Sequence, residues 1–347
     1  MSTIIFWIYI VAVITIKDVA KSANVSVGTA SMALNGKENV KARTKEKVLE
    51  TAKSLGYRPN KYAKLLNSKR TNVIGLIVTN ISNPFFGIIT DNVQEELAKN
   101  KYDVMLGISS DSISKEQHFI NKFIEMQVDG VILVPSSTQK PNISHLKALR
   151  ERDIPFCYIT TYYVDIPAPC VMTDLSEGSY QLTRYLLETG HKKIVYIVAN
   201  RKIPASNLRV EGYLNAYREA GAHFSPDWIT IAEPSFNGGY NSTNIILKGK
   251  HHPDAILTMN DIMAMGVLKY LKECKILVPE DISVAGYDNL IFTPLLETPL
   301  TTVQQPMEQM CMKAVEILIN KIDNPDGINE KILLRPELVI RNSTAEH

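Results

Sequence analysis

Apolar positions near the start of the chain repeat with the spacing of two short helices. An i, i+3, i+4, i+7 apolar stripe predicts a first helix over 16–23, with Thr15 as its N-cap and Asp18 as its capping-box partner. Ser26 offers an N-cap to a second helix over 27–34, so only two residues remain for the turn. Two short helices joined by so tight a turn are typical of a DNA-binding helix-turn-helix, whose second helix enters the major groove.

A third amphipathic helix is predicted over 43–55, with Gly56 as its C-cap. Its predicted core face carries Val48, Leu49, Ala52 and Leu55. These side chains would close a small three-helix core. Pro59 then breaks the chain before a short basic segment, and a polar run up to residue 72 is typical of an interdomain linker.

From residue 73 onward, apolar runs rich in Val and Ile alternate with amphipathic helical segments. The runs predicted as strands are 73–79, 103–109, 130–135, 156–160, 194–199, 255–259 and 282–287. The helical segments between them include 92–100, 115–126, 181–190 and 264–274. This alternation predicts doubly wound parallel sheets with helices on both faces. So many units exceed one domain of ordinary size, so we expect two α/β lobes with a ligand cleft at the carboxyl ends of their strands.

Charge is unevenly distributed along the 347 residues. Segment 15–72 holds 13 Lys and Arg against 4 Asp and Glu, a net charge of +9, whereas the whole chain carries +2 and the remainder therefore −7. A basic segment around a predicted helix-turn-helix suits the phosphate backbone of DNA, which an acidic body would repel. The charge distribution therefore supports a DNA-binding head.

Other reactive chemistry is sparse in the sequence. The four cysteines stand singly, without C-x-x-C spacing, so we expect core packing in a reducing cytoplasm and no metal site. The sequence has no P-loop, no dinucleotide fingerprint, no H-E-x-x-H motif and no evident Ser, His and Asp set. We therefore expect a protein that is not an enzyme and needs no cofactor.

An apolar run over 4–14 does not fit a soluble DNA-binding protein. It is shorter than the ~20 residues of a membrane span, and no Lys or Arg precedes it as in a signal peptide. Three interpretations stay open: a start codon assigned too early, with translation beginning near Val13 or Ile14, a membrane anchor, or a hydrophobic arm. We favour the first and treat 1–14 as a hydrophobic extension.

Six short strings occur in an order and spacing that together are highly specific. They are TIKDVA from Thr15, VSVGTASMALN from Val25, LGYRPN from Leu55, NPFF from Asn83, GYDN from Gly286 and PLTTVQQP from Pro299. With these strings the chain resembles the LacI/GalR family of transcriptional regulators over nearly its whole length. The resemblance implies an all-α helix-turn-helix head, a hinge helix and a two-lobed, periplasmic-binding-protein-like α/β body of type I. It also implies that the chain crosses between the lobes three times.

The resemblance gives the expected domain limits as well. They are 15–58 for the head, 59–72 for the hinge helix and linker, 73–171 plus 304–332 for the N-terminal lobe, and 172–303 plus 333–347 for the C-terminal lobe. The chain would thus cross between the lobes near residues 172, 304 and 333.

In the head, the resemblance puts base-reading positions at Val27, Gly28 and Met32 of the second helix. None of the three can form a bidentate hydrogen bond to a base, so Val27 and Met32 offer only apolar contact with thymine methyl groups. Met32 stands where the family often has Arg. Phosphate contacts are expected from Ser26, which is also a helix cap, and from Thr29, Ser31 and Asn35.

In the hinge, the resemblance aligns Asn60, Ala63 and Leu66 with DNA-contacting positions. Leu66 is expected to wedge into the minor groove at the centre of a palindromic operator and to kink it. An alternative stays open beside this one, namely that Leu66 packs between the hinge helices of a dimer.

In the body, the resemblance puts effector-binding positions at strand ends and helix starts. They are Phe85, Phe86, Ser109, Thr160, Arg209, Phe236, Asn260 and Asp288. Aromatic faces can stack on a sugar ring, while Arg, Asn and Asp give directional hydrogen bonds to hydroxyl groups. Core packing is the alternative for Phe85 and Phe86. Thr160 stands where the family usually has Asp, which leaves the sugar specificity open.

The leading hypothesis is a cytoplasmic, sequence-specific repressor of transcription under allosteric control by a small molecule, a sugar or sugar derivative. No leucine heptad follows the C-terminal strand, so we expect a homodimer on a palindromic double-stranded operator and no stable membrane association. The alternative is a membrane-tethered or periplasmic-type solute-binding receptor without DNA binding. The basic head argues against that alternative.

We expect Leu66→Ala to weaken operator binding at least about tenfold and to change non-specific binding little, because a wedge acts only where the duplex is kinked. Fluorescence-anisotropy titrations with an operator duplex and with a random duplex measure the two affinities. An equal loss on both duplexes would mean that Leu66 packs within the protein instead of entering the groove.

Overall fold

The computed structural model describes residues 14–35, 39–57, 70–136, 143–201, 203–249, 252–325 and 330–346. The chain forms two compact units, Met1–Thr71 and Asn72–His347, which we call the head and the body. Most of the predicted N-terminal extension and the predicted hinge helix, with Asn60, Ala63 and Leu66, lie outside the described residues.

The described part of the head contains the helices that the sequence predicts. They are α1 (Ile16–Ala23), α2 (Val27–Leu34) and α3 (Ala42–Ser54). Asp18 Oδ2 accepts hydrogen bonds from the Thr15 backbone amide at 2.8 Å and from the Thr15 hydroxyl at 2.7 Å. Ser26 Oγ accepts the backbone amide of Thr29 at 3.0 Å. Thr15 and Ser26 are therefore confirmed as N-caps, since each lies at the start of a helix and bonds within its first turn.

Short side chains make up most of the core of the head. Its buried members are Val19, Ala20, Ala23, Ala30, Ala33, Val40, Val48 and Ala52. The prediction that Leu49 belongs to this core is wrong, because its side chain is 44% exposed. Val48 and Ala52 lie on the row of α3 that faces this core, and Leu49 is turned about 100° further round the helix.

A six-stranded sheet with its helices forms the N-terminal lobe of the body. Its strands are β1 (Val73–Val78), β2 (Asp103–Ile108), β3 (Gly130–Leu133), β4 (Phe156–Ile159), β5 (Cys170–Thr173) and β11 (Lys331–Leu334). Its helices are α4 (Pro84–Lys99), α5 (Ile113–Glu125), α6 (Ser144–Arg150) and α11 (Met307–Asp323). The strands are parallel in the order β11-β5-β4-β3-β1-β2. Leu76 and Ile77 in β1 face different apolar clusters, so this sheet is buried on both sides.

A four-stranded parallel sheet with two helix pairs forms the C-terminal lobe. Its strands are β6 (Ile194–Val198), β7 (Ile229–Ile231), β8 (Ala255–Thr258) and β9 (Ser283–Ala285), in the order β7-β6-β8-β9. Its helices are α7 (Leu175–Glu188), α8 (Pro204–Glu219), α9 (Phe236–Lys248) and α10 (Asp261–Glu273). The antiparallel strands β10 (Thr302–Gln304) and β12 (Glu337–Val339) pair beside it. Short 3-10 turns occur at Pro226–Trp228 and Thr293–Leu295.

The predicted fold class is confirmed, and each of the seven predicted strands ends within two residues of its expected end. Three predicted lobe limits need correction, however, because each falls inside a strand. The limit at 303/304 falls inside β10, all three residues of which pair with β12 beside the C-terminal lobe. The limit at 171/172 falls inside β5 and the limit at 332/333 falls inside β11. Leu333 pairs with Met172 and Leu334 with Thr173, so both strands belong entirely to the N-terminal lobe. No helix in the described ranges has both the length and the apolar character needed to cross a membrane.

Helices α9 and α10 approach each other with their backbones in close contact. A Cβ atom added at Gly239 would lie 2.1 Å from the Met263 carbonyl oxygen, and one added at Gly266 would lie 2.1 Å from the Phe236 carbonyl oxygen. Only glycine allows this separation, since a backbone cannot move aside as a flexible side chain can. The two glycines therefore fix the packing of this helix pair, which carries two of the predicted site residues.

We expect Gly239→Ala to lower the free energy of unfolding by about 1–3 kcal/mol, because the methyl group forces α9 and α10 apart. Gly87→Ala in α4 is the matched control, since an added Cβ there has no neighbour within 4 Å. The control should be neutral or more stable by up to about 1 kcal/mol, as alanine favours a helix. Urea unfolding measures both, and equal stability of the two variants would contradict the close approach.

Candidate functional site

The strands of both lobes direct their carboxyl ends toward one cavity of about 880 Å³. Parallel strands end at the same edge of a sheet, and residues at or just beyond the ends of β1 to β10 line this cavity. In strand order, examples are Thr79, Ser110, Val134, Thr160, Leu175, Ala199, Ala232, Met259, Asp288 and Gln305. The cavity therefore lies between the lobes, where doubly wound folds bind ligands.

Three phenylalanines give the cavity its aromatic surface. Pro84 occupies the first turn of α4, and Asn83 Oδ1 caps that helix by accepting the Phe85 amide at 3.0 Å. The rings of Phe85 and Phe86 meet edge to face with centroids 5.1 Å apart. Phe85 is buried in the core of the N-terminal lobe, Phe86 is half-buried, and Phe236 at the start of α9 is 38% exposed. Phe86 and Phe236 therefore present more free ring surface to a ligand than Phe85 does.

A buried carboxylate and guanidinium lie on the wall formed by the C-terminal lobe. Asp288 is 4% exposed, and its Oδ1 accepts a hydrogen bond from Gln305 Nε2 at 2.7 Å. Arg209 is 5% exposed and lies over the Tyr287 ring, with its guanidinium carbon 4.4 Å from the ring centroid. Burial raises the pKa of Asp288 to about 7, against the opposing effects of the Arg209 charge and the Gln305 hydrogen bond. Asp288 is therefore a polar group with a high desolvation cost and room for further hydrogen bonds.

A strained turn holds Asp288 in place. Asp288 has φ 116° and Asn289 has φ 54°, which are uncommon values for residues other than glycine. Asp261, fully buried at the start of α10, accepts the Leu290 amide at 2.8 Å and the Thr302 hydroxyl at 2.7 Å. Burial, and then the charge of Asp288, raise the pKa of Asp261 well above its ordinary value. Hydrogen bonds from neighbouring segments thus maintain a backbone conformation that would not persist by itself.

Two more predicted residues are fixed by their local backbone. Asn260 is the N-cap of α10, and its Oδ1 accepts the Met263 amide at 2.8 Å. Its Nδ2 donates to the Pro234 carbonyl oxygen at 3.5 Å, which leaves one of its two N–H groups for another partner. Thr160 has φ 70° and follows β4 directly. Both residues line the cavity, Asn260 from the C-terminal lobe and Thr160 from the N-terminal lobe.

The structure brings seven of the eight predicted effector-binding residues together around the cavity: Phe85, Phe86, Thr160, Arg209, Phe236, Asn260 and Asp288. Ser109 is the exception. It is fully buried behind the wall, and its hydroxyl donates to the Val78 carbonyl oxygen at 3.4 Å. Its side chain continues the inward alternation of β2, and the cavity begins only at Ser110 and Asp111.

Sequence reasoning missed several polar lining residues, namely Asn83, Asn200, Ser206, Glu233 and Gln305. Gln305 lies in the PLTTVQQP string, so its motif was visible although its role was not. Ser206 Oγ and Arg209 Nε are buried without a hydrogen-bond partner among the described residues. Both residues line the cavity, so this part of the wall has unused hydrogen-bonding capacity. In the described ranges, no group of three or more His, Cys, Asp or Glu could hold a metal.

The head presents the predicted DNA-contacting helix on its surface. Val27 is 44% exposed and Met32 is 37% exposed, although both are apolar. Gly28 has open space around it, since a Cβ atom added there would have Ser26 Oγ as its nearest neighbour at 3.8 Å. The Ser26 and Thr29 hydroxyl oxygens are 2.8 Å apart, and Asn35 Nδ2 donates to Ser31 Oγ at 3.4 Å. Exposed apolar side chains on a small domain are typical of a binding surface.

Two family models match the chain in the regions just described. The model of bacterial regulatory proteins of the lacI family matches residues 15–60. The model of periplasmic binding protein-like domains matches residues 183–344. The first match covers the helix-turn-helix. The second covers most of the C-terminal lobe, together with α11 and β11 of the N-terminal lobe.

Similar proteins match over nearly the whole length. The ribose operon repressor of Haemophilus influenzae is 30% identical over 329 residues, which cover 95% of this chain and 98% of that protein. The transcriptional regulator CelR in complex with cellobiose is 27% identical, covers 95% of this chain and 99% of its own, and has a TM-score of 0.72. The lac repressor dimer bound to operator and the anti-inducer ONPF has a TM-score of 0.86 over 96% of this chain and 99% of its own. At 23% identity, that likeness shows a shared fold.

The chain therefore belongs to the lacI family of bacterial regulatory proteins. It is a DNA-binding regulator of transcription, as the helix-turn-helix and the charge distribution predicted. Its similar proteins are regulators and not enzymes, in line with the expectation drawn from the sequence motifs. The resemblance that the six sequence strings indicate is confirmed.

We expect Asp288→Asn to raise the free energy of unfolding above that of the natural chain. This difference should increase as the pH rises from about 4 to 8. Because the folded-state pKa of Asp288 is raised from 3.8 to about 7, protonation stabilises the folded protein. That contribution is lost as the pH rises through 7, whereas the asparagine variant has no carboxyl to ionise. The difference between pH 5 and pH 8 should be on the order of a few kcal/mol.

Urea unfolding at the two pH values measures this difference. Glu211→Gln is the control, since Glu211 is an exposed carboxylate on α8 outside the cavity wall. This control measures what the loss of an exposed carboxylate does by itself to the free energy of unfolding at each pH. A pH-independent effect of Asp288→Asn would mean that Asp288 titrates in the folded protein as it does in the unfolded chain.

Proposed function

We propose that this regulator is a cytoplasmic, homodimeric repressor whose affinity for a palindromic operator is set by an uncharged sugar or sugar derivative. The effector binds in the cavity between the lobes. Asp288 carries the proposal, because it is a buried acceptor beside Gln305 in a cavity that aromatic rings also line, a combination that suits a hydroxyl-bearing ring.

The charges of the cavity wall favour an uncharged ligand. Arg209 is the only basic residue that lines the cavity among those described, whereas Asp111, Glu233 and Asp288 are acidic. A phosphate group would meet more negative than positive charge there. Two of the similar proteins agree with a carbohydrate, since one is named for the ribose operon and another is a complex with cellobiose.

Each of the proposed effector contacts has a physical role. Phe86 and Phe236 offer apolar faces to the ring, and Asp288 accepts from ring hydroxyls. Arg209 and Asn260 donate to ring oxygens, and Thr160 contacts the same ligand from the N-terminal lobe. A ligand that contacts both lobes favours one of their relative orientations. The coupling to the hinge is expected to be ~1–3 kcal/mol, which corresponds to roughly 5- to 150-fold in operator affinity.

Recognition of the operator divides between the head and the hinge. Val27 and Met32 contact thymine methyl groups, Gly28 allows close approach, and the surrounding hydroxyls and Asn35 contact phosphates. Because the reading positions lack bidentate donors, we assign much of the operator choice to the hinge around Leu66 and to the kink that it makes. The effector acts as an inducer and releases the DNA.

We expect a neutral sugar to raise the unfolding temperature of the protein and to weaken its binding to an operator selected from random duplexes. A ligand at 100 times its dissociation constant adds about 2.7 kcal/mol of stability. The screen uses D-ribose, cellobiose, ribose 5-phosphate, glucose 6-phosphate and guanine. Asp288→Asn should lose the response to the sugar and keep its operator affinity, while Glu211→Gln should keep both.

Operator binding should also weaken steeply with salt, because Lys and Arg of the head displace cations from the phosphates. Binding that does not depend on salt, or no selectable operator, would contradict the DNA-binding role. Stabilisation by the two phosphate esters in place of the neutral sugars would contradict the choice of an uncharged effector.

A further inference from the structure

A chain of buried hydrogen bonds crosses the carboxyl ends of neighbouring strands in the N-terminal lobe. The Ser109 hydroxyl donates to the Val78 carbonyl oxygen at 3.4 Å, and the Ser136 hydroxyl donates to Ser109 Oγ at 3.3 Å. These residues lie at the ends of β1, β2 and β3. Ser109 is 0% and Ser136 is 3% exposed, so water does not compete for these bonds. The chain thus ties three strand ends together from behind the cavity wall.

The carboxylate of Glu116 on α5 is the centre of the same network. Its Oε2 accepts the Ser136 backbone amide at 2.9 Å and the Tyr163 hydroxyl at 2.9 Å. Its Oε1 lies 2.7 Å from Nε2 of His145 on α6. The side chains of Glu116 and His145 are both fully buried. One carboxylate therefore joins α5, α6, the segment after β3 and the segment after β4.

Each strand end held by the network continues directly into the cavity wall. Val78, Ser109, Ser136 and Tyr163 lie one or two residues from the lining residues Thr79, Ser110, Pro135 and Thr161, respectively. The network itself contributes no side chain to the cavity surface. Its members can influence a ligand only through the positions of these segments.

A buried carboxylate with several donors fixes their geometry more strictly than apolar packing does. The buried carboxyl group needs all of its hydrogen bonds, and these bonds are directional. Its partners come from three separate segments, which lie 20, 29 and 47 residues from Glu116 in the sequence. A shift of any segment would leave a buried donor or acceptor unpaired.

We propose that Glu116 and Ser109 are positioning residues of the effector site, which hold the four carboxyl-end segments of the N-terminal lobe in the arrangement that the effector binds. The proposal rests on the proposed function of the cavity. It gives Ser109, which does not reach the cavity, a role in forming the wall. Because the wall is already ordered before the ligand binds, binding does not include the entropy loss of ordering the wall.

Two tyrosines of the N-terminal lobe provide a matched pair of variants. Tyr163→Phe removes the hydroxyl that bonds to Glu116 and keeps the ring. Tyr158→Phe removes another buried hydroxyl, which donates to the Ile166 carbonyl oxygen at 3.1 Å and takes no part in the network. The two rings pack edge to face with centroids 6.1 Å apart, so both variants alter the same neighbourhood.

Amide hydrogen exchange on the full chain tests the positioning directly. We expect Tyr163→Phe and Glu116→Gln to speed exchange at 134–136 and 160–163 by about tenfold, through local opening, and Tyr158→Phe to leave it within about twofold. For whichever of D-ribose and cellobiose stabilises the natural chain, the dissociation constant should rise about tenfold in Tyr163→Phe and stay within about twofold in Tyr158→Phe. Ser109→Ala serves as a second variant, which removes the two hydrogen bonds of the Ser109 hydroxyl at the edge of the network.

Equal exchange and equal affinity in the two tyrosine variants would overturn the proposal, because both would then act through general stability. Exchange that stays slow in Tyr163→Phe, or in Ser109→Ala if the former does not fold, would overturn it as well. If neither sugar stabilises the natural chain, the carbohydrate proposal fails for these probes. The exchange comparison then decides the positioning role independently.

Discussion

Parallel strand pairing is the constraint on which the rest of the body depends. In a parallel sheet every strand ends at the same edge, and the connections that leave this edge begin with loops and helix N-termini. Helices α4, α7, α8, α9 and α10 all contribute residues of their first two turns to the cavity. The positive dipole ends of these helices suit ligand oxygens and buried carboxylates. The polar character of the site thus follows from topology as much as from composition.

Buried polar groups at that edge then determine how rigid the site is. Asp288 and Glu116 are both carboxylates without contact with bulk water, and both are held within the folded lobes by hydrogen bonds from other segments. They differ in their remaining capacity to accept hydrogen bonds. Both oxygens of Glu116 are occupied by protein groups, whereas Asp288 accepts from Gln305 through Oδ1 and also lines the cavity. Glu116 therefore stabilises the cavity wall from behind, whereas Asp288 is available to a ligand.

The sequence was sufficient for features that depend on local chemistry. Caps such as Ser26 bond to an amide three residues away, so their pattern is visible without the fold. Seven strands were predicted because each lies in a run rich in Val and Ile, which has few alternatives. Strands β5, β7 and β10 have only three or four residues and mix apolar residues with Cys, Thr or Gln, so no such run marks them. Helix α8 was not among the helical segments named from the sequence, because its buried face includes the polar Ser206 and Arg209 and a glycine, Gly212, so no apolar stripe marks it.

The candidate site could be predicted as far as the family strings reach, and the exceptions have structural reasons. Ser109 was assigned to the ligand because it ends a strand, but the left-handed residues Ser110 and Asp111 turn the chain only after it. Leu49 was assigned to the core because the prediction took a wide face of α3 as buried. The small alanine-rich interior of the head covers only a narrower face, which includes Val48 and Ala52. In both cases the prediction failed because of the direction in which the side chain points, and not because of the residue type. Sequence patterns record such directions only where an element is long and regular.

The position of Gln305 links the site to the path of the chain between the lobes. It follows β10 and precedes α11, which packs in the N-terminal lobe, and it donates to Asp288 at the end of β9. A ligand atom that binds Asp288 therefore binds a carboxylate already bonded to a crossover segment. Leu290, two residues after Asp288 in the sequence, belongs to the apolar cluster of the N-terminal lobe. The hydrogen bond to Gln305 and the buried side chain of Leu290 give a physical path from Asp288 to the other lobe, which the proposed coupling of effector binding to lobe orientation requires.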